Sequence, residues 1–344
     1  MQMFERRAVR SATVTAALAV LLAVALVGSL AFGAEVLPVA KVVDAVLHDR
    51  PGPVSTIVRD LRMPRSLLAA IVGAGLALAG AGVQTLVRNP LADPYLLGVS
   101  SGASVGATAV ITTGVLGALG TWALFTGALL GALAAGALVG AIAVAQGGIT
   151  PIRLILTGTV LGSAFSATAS YLVFRSGDPA AAQSVLFWLL GSLSGAQWDR
   201  VAVPAVTVAL LLVLLGAFSG WLDALTAGPD TAAALGVPVT AARAALFTVC
   251  AVAVGVLVAV SGAVGFVGLV VPHLARLLVG SRHRVLLPVT ALGGALFLLV
   301  VDVTARIAVR PTEMPLSVVT GLIGAPVFLI LMGRRRYRTA GSPA

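Results

Sequence analysis

The sequence predicts an all-α membrane protein with about ten transmembrane helices. Of its 344 residues 59% are hydrophobic and 10% are charged, whereas a soluble domain carries about 25% charged residues. The mean hydropathy is +1.08. Since a spanning helix needs roughly 20 apolar residues, the chain has room for about ten spans and their loops. Long apolar runs such as residues 201–218 favour helices, because β-barrel strands would alternate polar and apolar residues.

The charge distribution argues against nucleic-acid binding and against an ATPase site in this chain. The net charge of +10 comes almost wholly from arginine, and Lys41 is the only lysine. The arginines fall in short loops and at the ends of apolar runs, which fits the positive-inside rule and anionic lipid better than nucleic acid. A P-loop needs Gly-Lys followed by Ser or Thr, and Lys41 follows an alanine. If transport is driven by ATP, the ATPase must therefore be a separate polypeptide.

The apolar runs define the elements in order. A basic N-terminus precedes the first run, which we interpret as a span because it is long and lacks a clear cleavage site. A short surface helix is expected at 36–47, and an interfacial helix with Trp188 and Trp198 at 180–198. Cys250 lies inside an apolar run and is interpreted as a small core residue. The predicted spans are residues 12–32, 64–87, 95–115, 121–145, 151–174, 201–219, 243–261, 264–280, 286–307 and 315–332.

An even number of spans places both termini on one side of the membrane, and both are rich in arginine. The positive-inside rule then predicts that both termini are cytoplasmic. The stretches 73–84 and 258–269 echo each other in opposite directions, as an inverted repeat of five plus five spans would. Gly and Ala bias alone could also produce this echo. Further arginines that fall on the cytoplasmic side are Arg88, Arg153, Arg243, Arg282 and Arg284.

Three motifs, LRMPR at 61–65, GAGLALAGAGVQ at 73–84 and RNPLADPYLLGVSSGA at 88–103, resemble those of a known family. This is the FecCD-type family of permease subunits of bacterial ATP-binding-cassette (ABC) importers for iron-siderophores, haem and cobalamin. A fourth motif, GAVGFVGLVVPHLAR at 262–276, extends the resemblance, which runs from Leu61 to Met332.

The resemblance implies one permease domain over residues 1–344 in the bacterial cytoplasmic (inner) membrane. It implies three kinds of partner: an ABC ATPase subunit that binds ATP and Mg²⁺, an extracytoplasmic substrate-binding protein, and a second permease copy or a paralogue. The chain itself is expected to hold no cofactor and to carry no catalytic residue. Ferric siderophore is the commonest cargo implied, with cobalamin and haem open.

Arginines at the outer face are the first candidate site. By the resemblance, Arg62, Arg65 and Arg306 are expected to be exposed and to dock the binding protein through bidentate bonds to carboxylates. The alternative is that they only anchor helix ends at the interface. Asp302 is expected to form an i,i+4 ion pair with Arg306. A secondary transporter would need several such intramembrane acids, and Asp302 is the clearest one.

The second polar stretch, residues 221–240, is the other main candidate. Gly228-Pro229 breaks the chain, and Asp230 is expected to cap a short helix over 231–235 that Gly236 closes. A solvated loop is the alternative. By the resemblance, this stretch couples to the ATPase. The residues assigned to coupling are Asp230, Thr231, Ala232, Ala233, Ala234, Leu235 and Gly236.

Two further groups complete the candidates. Arg88, Asn89, Pro90 and Asp93 are expected to shape an inner loop near the ATPase, and the same residues are ordinary turn formers. Polar residues of the second and third spans could line the pathway or pack between helices, and the sequence does not distinguish the two. A lone histidine at 273 has no second ligand at helical spacing, so no metal site is predicted. The pathway candidates are Gln84, Ser100, Ser101 and Ser104.

Overall fold

The computed structural model describes residues 2–33, 35–48 and 52–339, and these residues form helices and connections without a strand. The prediction of an all-α membrane protein is confirmed. The helices of the described chain are α1 Gln2–Ala31, α2 Val39–Leu47, α3 Pro53–Leu86, α4 Val99–Thr113, α5 Ala123–Ala145, α6 Pro151–Ser176, α7 Pro179–Leu189, α8 Ala202–Ala217, α9 Ser219–Ala227, α10 Pro229–Ala234, α11 Val239–Ser261, α12 Val267–Val279, α13 His283–Ile307 and α14 Leu316–Thr339.

Seven helices of the described chain are long and apolar enough to cross a membrane, namely α1, α3, α5, α6, α8, α11 and α13. The other three predicted spans contain α4, α12 and α14. Helices α4 and α12 have only 15 and 13 residues, fewer than the roughly 20 that a full crossing needs. Each predicted span therefore contains a helix, but two of these helices are short.

Segments that are not α-helical precede the two short helices: a 3₁₀ turn at Pro94–Leu97 before α4, and irregular residues 262–266 before α12. The hydroxyl of Tyr95, just before α4, donates to the carbonyl of Val264 at 3.0 Å and accepts from the amide of Val264 at 2.8 Å. Val264 lies in the segment before α12 and is 1% exposed. Non-helical backbone at membrane depth is tolerated where protein satisfies its polar groups. Tyr95 does so here, and the two segments hold each other in place.

Helix α3 lies at the centre of the bundle, and nearly all its residues from Pro64 to Leu86 are buried. A Cβ atom at Gly73 would lie 2.2 Å from the carbonyl oxygen of Gly294, and one at Gly80 would lie 2.1 Å from that of Gly268. Both distances are too short for any side chain. Small residues are expected to let helices approach closely in a membrane. The glycines of α3 do so here, Gly73 against α13 and Gly80 against α12.

The ends of α3 and α13 define two faces of the molecule. Arg65 contacts Asp302 at one end, and Thr85 contacts His283 at the other, so the helices are antiparallel. We call these ends the Arg65 face and the Arg88 face. Helix α11 is also antiparallel to α3, since Gly75 lies beside Leu257 and Gly82 beside Cys250. That is the relative direction an inverted repeat requires, and the repeat itself stays a prediction.

Two boundaries differ from the sequence prediction. The first surface helix begins at Val39 and packs Val42 and Ala45 into a small core with Leu30 and Val58. The predicted interfacial helix ends at Leu189 because the next residues hydrogen-bond to other elements. In those bonds, Leu190 and Gly191 accept from Ser317 and Leu316, and Ser192 donates to Ser261.

The second polar stretch is also more ordered than predicted, since α9 occupies its first part. The interpretation of Cys250 is confirmed, because it is a free, fully buried cysteine.

Candidate functional site

A buried charge cluster lies at the Arg65 face. The carboxylate of Asp302 is completely buried. Its Oδ1 atom accepts from Nε of Arg65 at 2.9 Å, and its Oδ2 atom lies 3.0 Å from Nη2 of Arg306. The second contact is an ion pair without a hydrogen bond. Arg65 also donates to the half-exposed Glu313 at 2.8 Å. The predicted pair of Asp302 with Arg306 is confirmed, and the partners of Arg65 were missed.

The three arginines assigned to docking are not exposed in this structure. Arg62, Arg65 and Arg306 are 7%, 9% and 5% exposed. Arg62 donates to the carbonyls of Leu30 at 2.7 Å and Glu35 at 2.6 Å. The expectation of exposed arginines is wrong because the chain's own acceptors, drawn from α1, α13 and the following loop, surround each guanidinium. Their part in docking stays a prediction.

At the Arg88 face, α3 ends in a compact turn. Arg88 adopts a left-handed conformation with φ +53°. The amide of Asn89 donates to the carbonyl of Gln84, and that of Arg88 to Thr85, which is the Schellman pattern of helix ends. Beyond it, the side chains of Asn89 and Asp93 accept from the amides two residues on, at 3.0 and 2.8 Å. The predicted turn chemistry of this loop is confirmed, and Pro90 follows Asn89 within it.

Gln84 fastens this loop to α12. Its amide nitrogen donates to the carbonyls of Ala92 and Gly268, both at 3.2 Å, and its side-chain oxygen accepts from Arg276. Gln84 is 3% exposed. It was a pathway candidate; its side chain is buried and hydrogen-bonded within the described chain, and its part in the pathway stays a prediction.

The serine candidates of α4 also lie mostly inside the helix packing. Ser100 and Ser104 are each 8% exposed, and the Ser104 hydroxyl donates to the Ser100 carbonyl at 3.0 Å. Ser101 is half-buried beside Gly162 of α6. The structure therefore places Ser100 and Ser104 in packing rather than on an open surface, and only Ser101 keeps partial exposure.

The second polar stretch forms a compact unit at the Arg88 face. A short helix was predicted here, and α10 confirms it. Gly236 at φ +78° closes the helix, and the amide of Val237 reaches back to the carbonyl of Ala232. Asp230 was expected to be the cap, and this is wrong, since Gly228 is the N-cap and Pro229 the first helical residue. The carboxylate of Asp230 instead stands in the first turn, where the helix dipole favours it.

Helix α10 presents one side to solvent and packs the other on α9. Ala232 is fully buried with Ala224, Leu225 and Val237 in a separate small core. Leu235 is 70% exposed. A short helix held by its own core and carrying an exposed leucine is a rigid protrusion. We call α10 with Leu235 the knob. The other exposed residues between 230 and 236 are Asp230, Thr231, Ala233, Ala234 and Gly236.

Sequence reasoning missed an exposed polar stripe on α6. Thr159, Ser163, Ser166 and Ser170 recur every three or four residues and are all exposed. Their helix has a mean hydropathy of 1.3, the lowest among the seven long helices. The hydroxyls of Ser163 and Ser170 donate to carbonyls one turn back, at 3.1 and 3.0 Å. A polar stripe is out of place against lipid and indicates a water-filled path or a protein neighbour. The helical spacing of the hydroxyls was the signal that could have revealed it.

These features define a class of protein: a multi-span helical membrane protein with a polar helix face and a rigid knob at one face. The chain matches the model of the FecCD transport family over residues 21–334. It belongs to this family and is therefore a permease subunit of an ABC importer, in which a separate chain is the ATPase.

Relatives support the same assignment. The chain is 42% identical to the cobalamin import system permease BtuC of Halobacterium salinarum, over 84% of this chain and 76% of the relative. It is 41% identical to the hemin transport system permease HmuU of Yersinia pestis, over 82% and 84% of the two chains. It also resembles, with a TM-score of 0.82 and 35% identity, the inward-facing structure of an ABC transporter assigned to the metal-chelate type. That match covers 94% of this chain and 99% of the other.

Proposed function

We propose that two permease copies form the pathway of an ATP-driven importer for a large metal chelate. The observation that carries this proposal is the exposed hydroxyl stripe of α6, which one chain cannot cover by itself. Between two copies, the stripe would line a water-filled central path. The hydroxyls of Ser163 and Ser170 already donate to carbonyls within the helix, so these two can face a large cargo without binding it tightly.

The cargo is proposed from the relatives and is open to a direct test. Two relatives above 40% identity are named for cobalamin and hemin transport. These names favour a macrocyclic metal chelate over the ferric siderophore that the resemblance in the sequence first indicated. Uptake of labelled cobalamin, haem and ferric siderophore in cells that lack their own importers distinguishes the three, and uptake of the siderophore alone would contradict the macrocycle assignment.

The Arg88 face is proposed to be cytoplasmic and to receive the ATPase. Arg88, Arg282 and Arg284 are exposed there, as the positive-inside rule expects of a cytoplasmic surface. The knob with Leu235 at its end lies on this face. ATP binding closes the ATPase pair, and the pair then biases the permease between two states by its different contacts with each. No bond to the cargo is made or broken by this chain.

The Arg65 face is then proposed to receive the binding protein. In this structure Glu313 occupies one side of the Arg65 guanidinium, and the side chain of Glu313 is 42% exposed. An acidic surface of a binding protein could replace this contact more readily than that with the buried Asp302. We therefore propose that Arg65 is the docking arginine that most easily exchanges a contact within the chain, that with Glu313, for one with the binding protein.

Blocking the stripe tests the proposal. Ser163→Leu with Ser166→Leu should abolish uptake in reconstituted vesicles while the ATPase stays bound. Val160→Leu is the matched control, because Val160 lies on the same helix and is 68% exposed. Normal uptake by the double variant would contradict a path along α6.

A further inference from the structure

A chain of hydrogen-bonded side chains, Asp223, His283 and Thr85, connects three elements at the Arg88 face. Nδ1 of His283 lies 2.6 Å from Oδ1 of Asp223, and the backbone amide of His283 donates to the same oxygen at 2.9 Å. Nε2 of His283 lies 2.9 Å from the hydroxyl of Thr85. His283 is 1% exposed and Thr85 is 2% exposed. Because a carboxylate only accepts, Nδ1 is the donor to Asp223.

The chain starts in the unit that carries the knob. Asp223 belongs to α9, and α9 and α10 share a core formed by Ala224, Leu225, Ala232 and Val237. A push on α10 therefore moves α9, because close-packed elements transmit strain. The side chain of Asp223 is 40% exposed, so its charge remains partly hydrated while one oxygen is held by His283.

The chain ends in the central helix pair. Thr85 lies in the last turn of α3, and His283 is the first residue of α13. These two helices are locked together at Gly73 and Gly294. At the far end of the pair, Arg65 of α3 binds Asp302 of α13. The Asp223–His283–Thr85 chain is thus a polar contact between two parts of the molecule. One is the unit formed by α9 and α10, which we call the coupling unit, and the other is the pair of α3 and α13, which reaches the opposite face.

Directional bonds matter at such a contact. Apolar burial is non-directional, so α9 held by leucines alone could slide along α3 and α13 without much loss. Hydrogen bonds to a charged group are strong and fixed in geometry, and burial of His283 and Thr85 strengthens the bond between those two side chains. His283 uses both ring nitrogens and its amide, so a displacement of α9 must move α13 or break these bonds.

We propose that His283 is a positioning residue that transmits movement of the coupling unit to α3 and α13. This inference rests on the proposed function. It goes beyond a helix cap, because a cap would need only the bond from the backbone amide of His283 to Asp223. Asp223→Asn keeps an acceptor for that amide but removes the charge, and asparagine caps helices as well as aspartate does.

The test is the number of cargo molecules transported per ATP hydrolysed, in vesicles that contain the complete complex with ATPase and binding protein. His283→Ala should lower this ratio about tenfold, the effect of losing about 1.4 kcal/mol of coupling. Asp223→Asn should lower it in the same direction. Basal ATP hydrolysis and binding of the ATPase chain should not change in His283→Ala, because His283 is only 1% exposed and does not reach the surface.

A matched control exists on the other side of the molecule. His48 and Asp44 form an exposed i,i+4 pair at 2.9 Å at the end of α2, and His48→Ala with Asp44→Asn should leave the ratio unchanged. Asp223→Glu should restore part of the coupling, because it restores the charge. A merely structural role would change the amount of folded complex and leave the ratio constant.

The failure of this inference and that of the proposed function can be told apart. If the unaltered complex shows no ATP-driven uptake, the proposed function is wrong. If it transports, and His283→Ala has an unchanged ratio, the positioning role is wrong. Should His283→Ala not fold, Thr85→Val keeps the shape of the side chain and removes its hydroxyl. A ratio equal to that of the unaltered complex in Thr85→Val would then overturn the inference.

Discussion

The buried carboxylate of Asp302 leads to a quantitative prediction of stability. Asp302→Asn keeps the size of the side chain and removes the charge that two guanidinium groups share. Arg306 then loses its ion-pair partner among the described residues, whereas Arg65 keeps Glu313. Removing one partner of a buried ion pair costs about 3–5 kcal/mol because the other charge stays buried. Since Glu313 compensates part of the remaining charge, we expect the lower limit, about 3 kcal/mol.

This free energy converts into a measurable shift. An unfolding entropy of about 2.1 cal/mol/K per residue, taken over 344 residues, is about 0.7 kcal/mol/K. A loss of about 3 kcal/mol should thus lower the midpoint of thermal unfolding by about 4 °C. The assay is the fraction of protein in detergent that stays monodisperse after heating, read by size-exclusion chromatography.

Two further variants decide whether the charge is the cause. Arg306→Met combined with Asp302→Asn removes both charges and should recover most of the loss, because apolar replacement of a buried pair is often neutral. Asp44→Asn, an exposed carboxylate on α2, should leave the midpoint unchanged. A shift below about 1 °C for Asp302→Asn would refute the assignment of a buried, charge-paired carboxylate.

Three further predictions concern packing, coupling and docking. Gly80→Val should abolish the folded protein, because its Cβ would lie 2.1 Å from a carbonyl oxygen of α12. Gly216→Ala is the control and should fold normally, because a Cβ there meets nothing within 4 Å. Equal yields of the two variants would contradict this packing. Leu235→Asp should weaken co-purification of the ATPase about tenfold, as expected for a leucine that becomes buried at a contact; undiminished co-purification would show that the ATPase contacts the chain elsewhere. Glu313→Gln should tighten docking of the binding protein by up to about fivefold, because it removes an ion pair worth at most about 1 kcal/mol from Arg65; unchanged affinity, measured on the complex in nanodiscs, would indicate that Arg65 is only structural.

Local features of the site could be predicted from the sequence. The i,i+4 spacing of Asp302 and Arg306 led directly to their ion pair, and the Gly-Pro break and closing glycine led to α10. These predictions succeeded because each depends on backbone geometry over a few residues. The hydroxyl stripe of α6 belongs to the same kind, since its helical spacing is visible in the sequence.

Long-range contacts could not be predicted in this way. Arg65 and Asp302 are 237 residues apart, and Thr85 and His283 are 198 residues apart. No local pattern indicates which of several arginines a distant carboxylate will bind. For the same reason the sequence did not reveal that the Gln84 side chain hydrogen-bonds to α12 and to the loop after α3. Burial in a helix bundle depends on which helices become neighbours, and that is set by packing along their whole length.

The most direct test of the central claim is the ATP dependence of uptake. Vesicles that contain the chain with its co-purified partners would be supplied with labelled cobalamin, haem or ferric siderophore, with and without ATP inside the compartment that faces the ATPase. We predict accumulation of one of these chelates only when ATP and the ATPase chain are both present. Accumulation by the chain alone under an ion gradient, without ATP, would contradict the importer account.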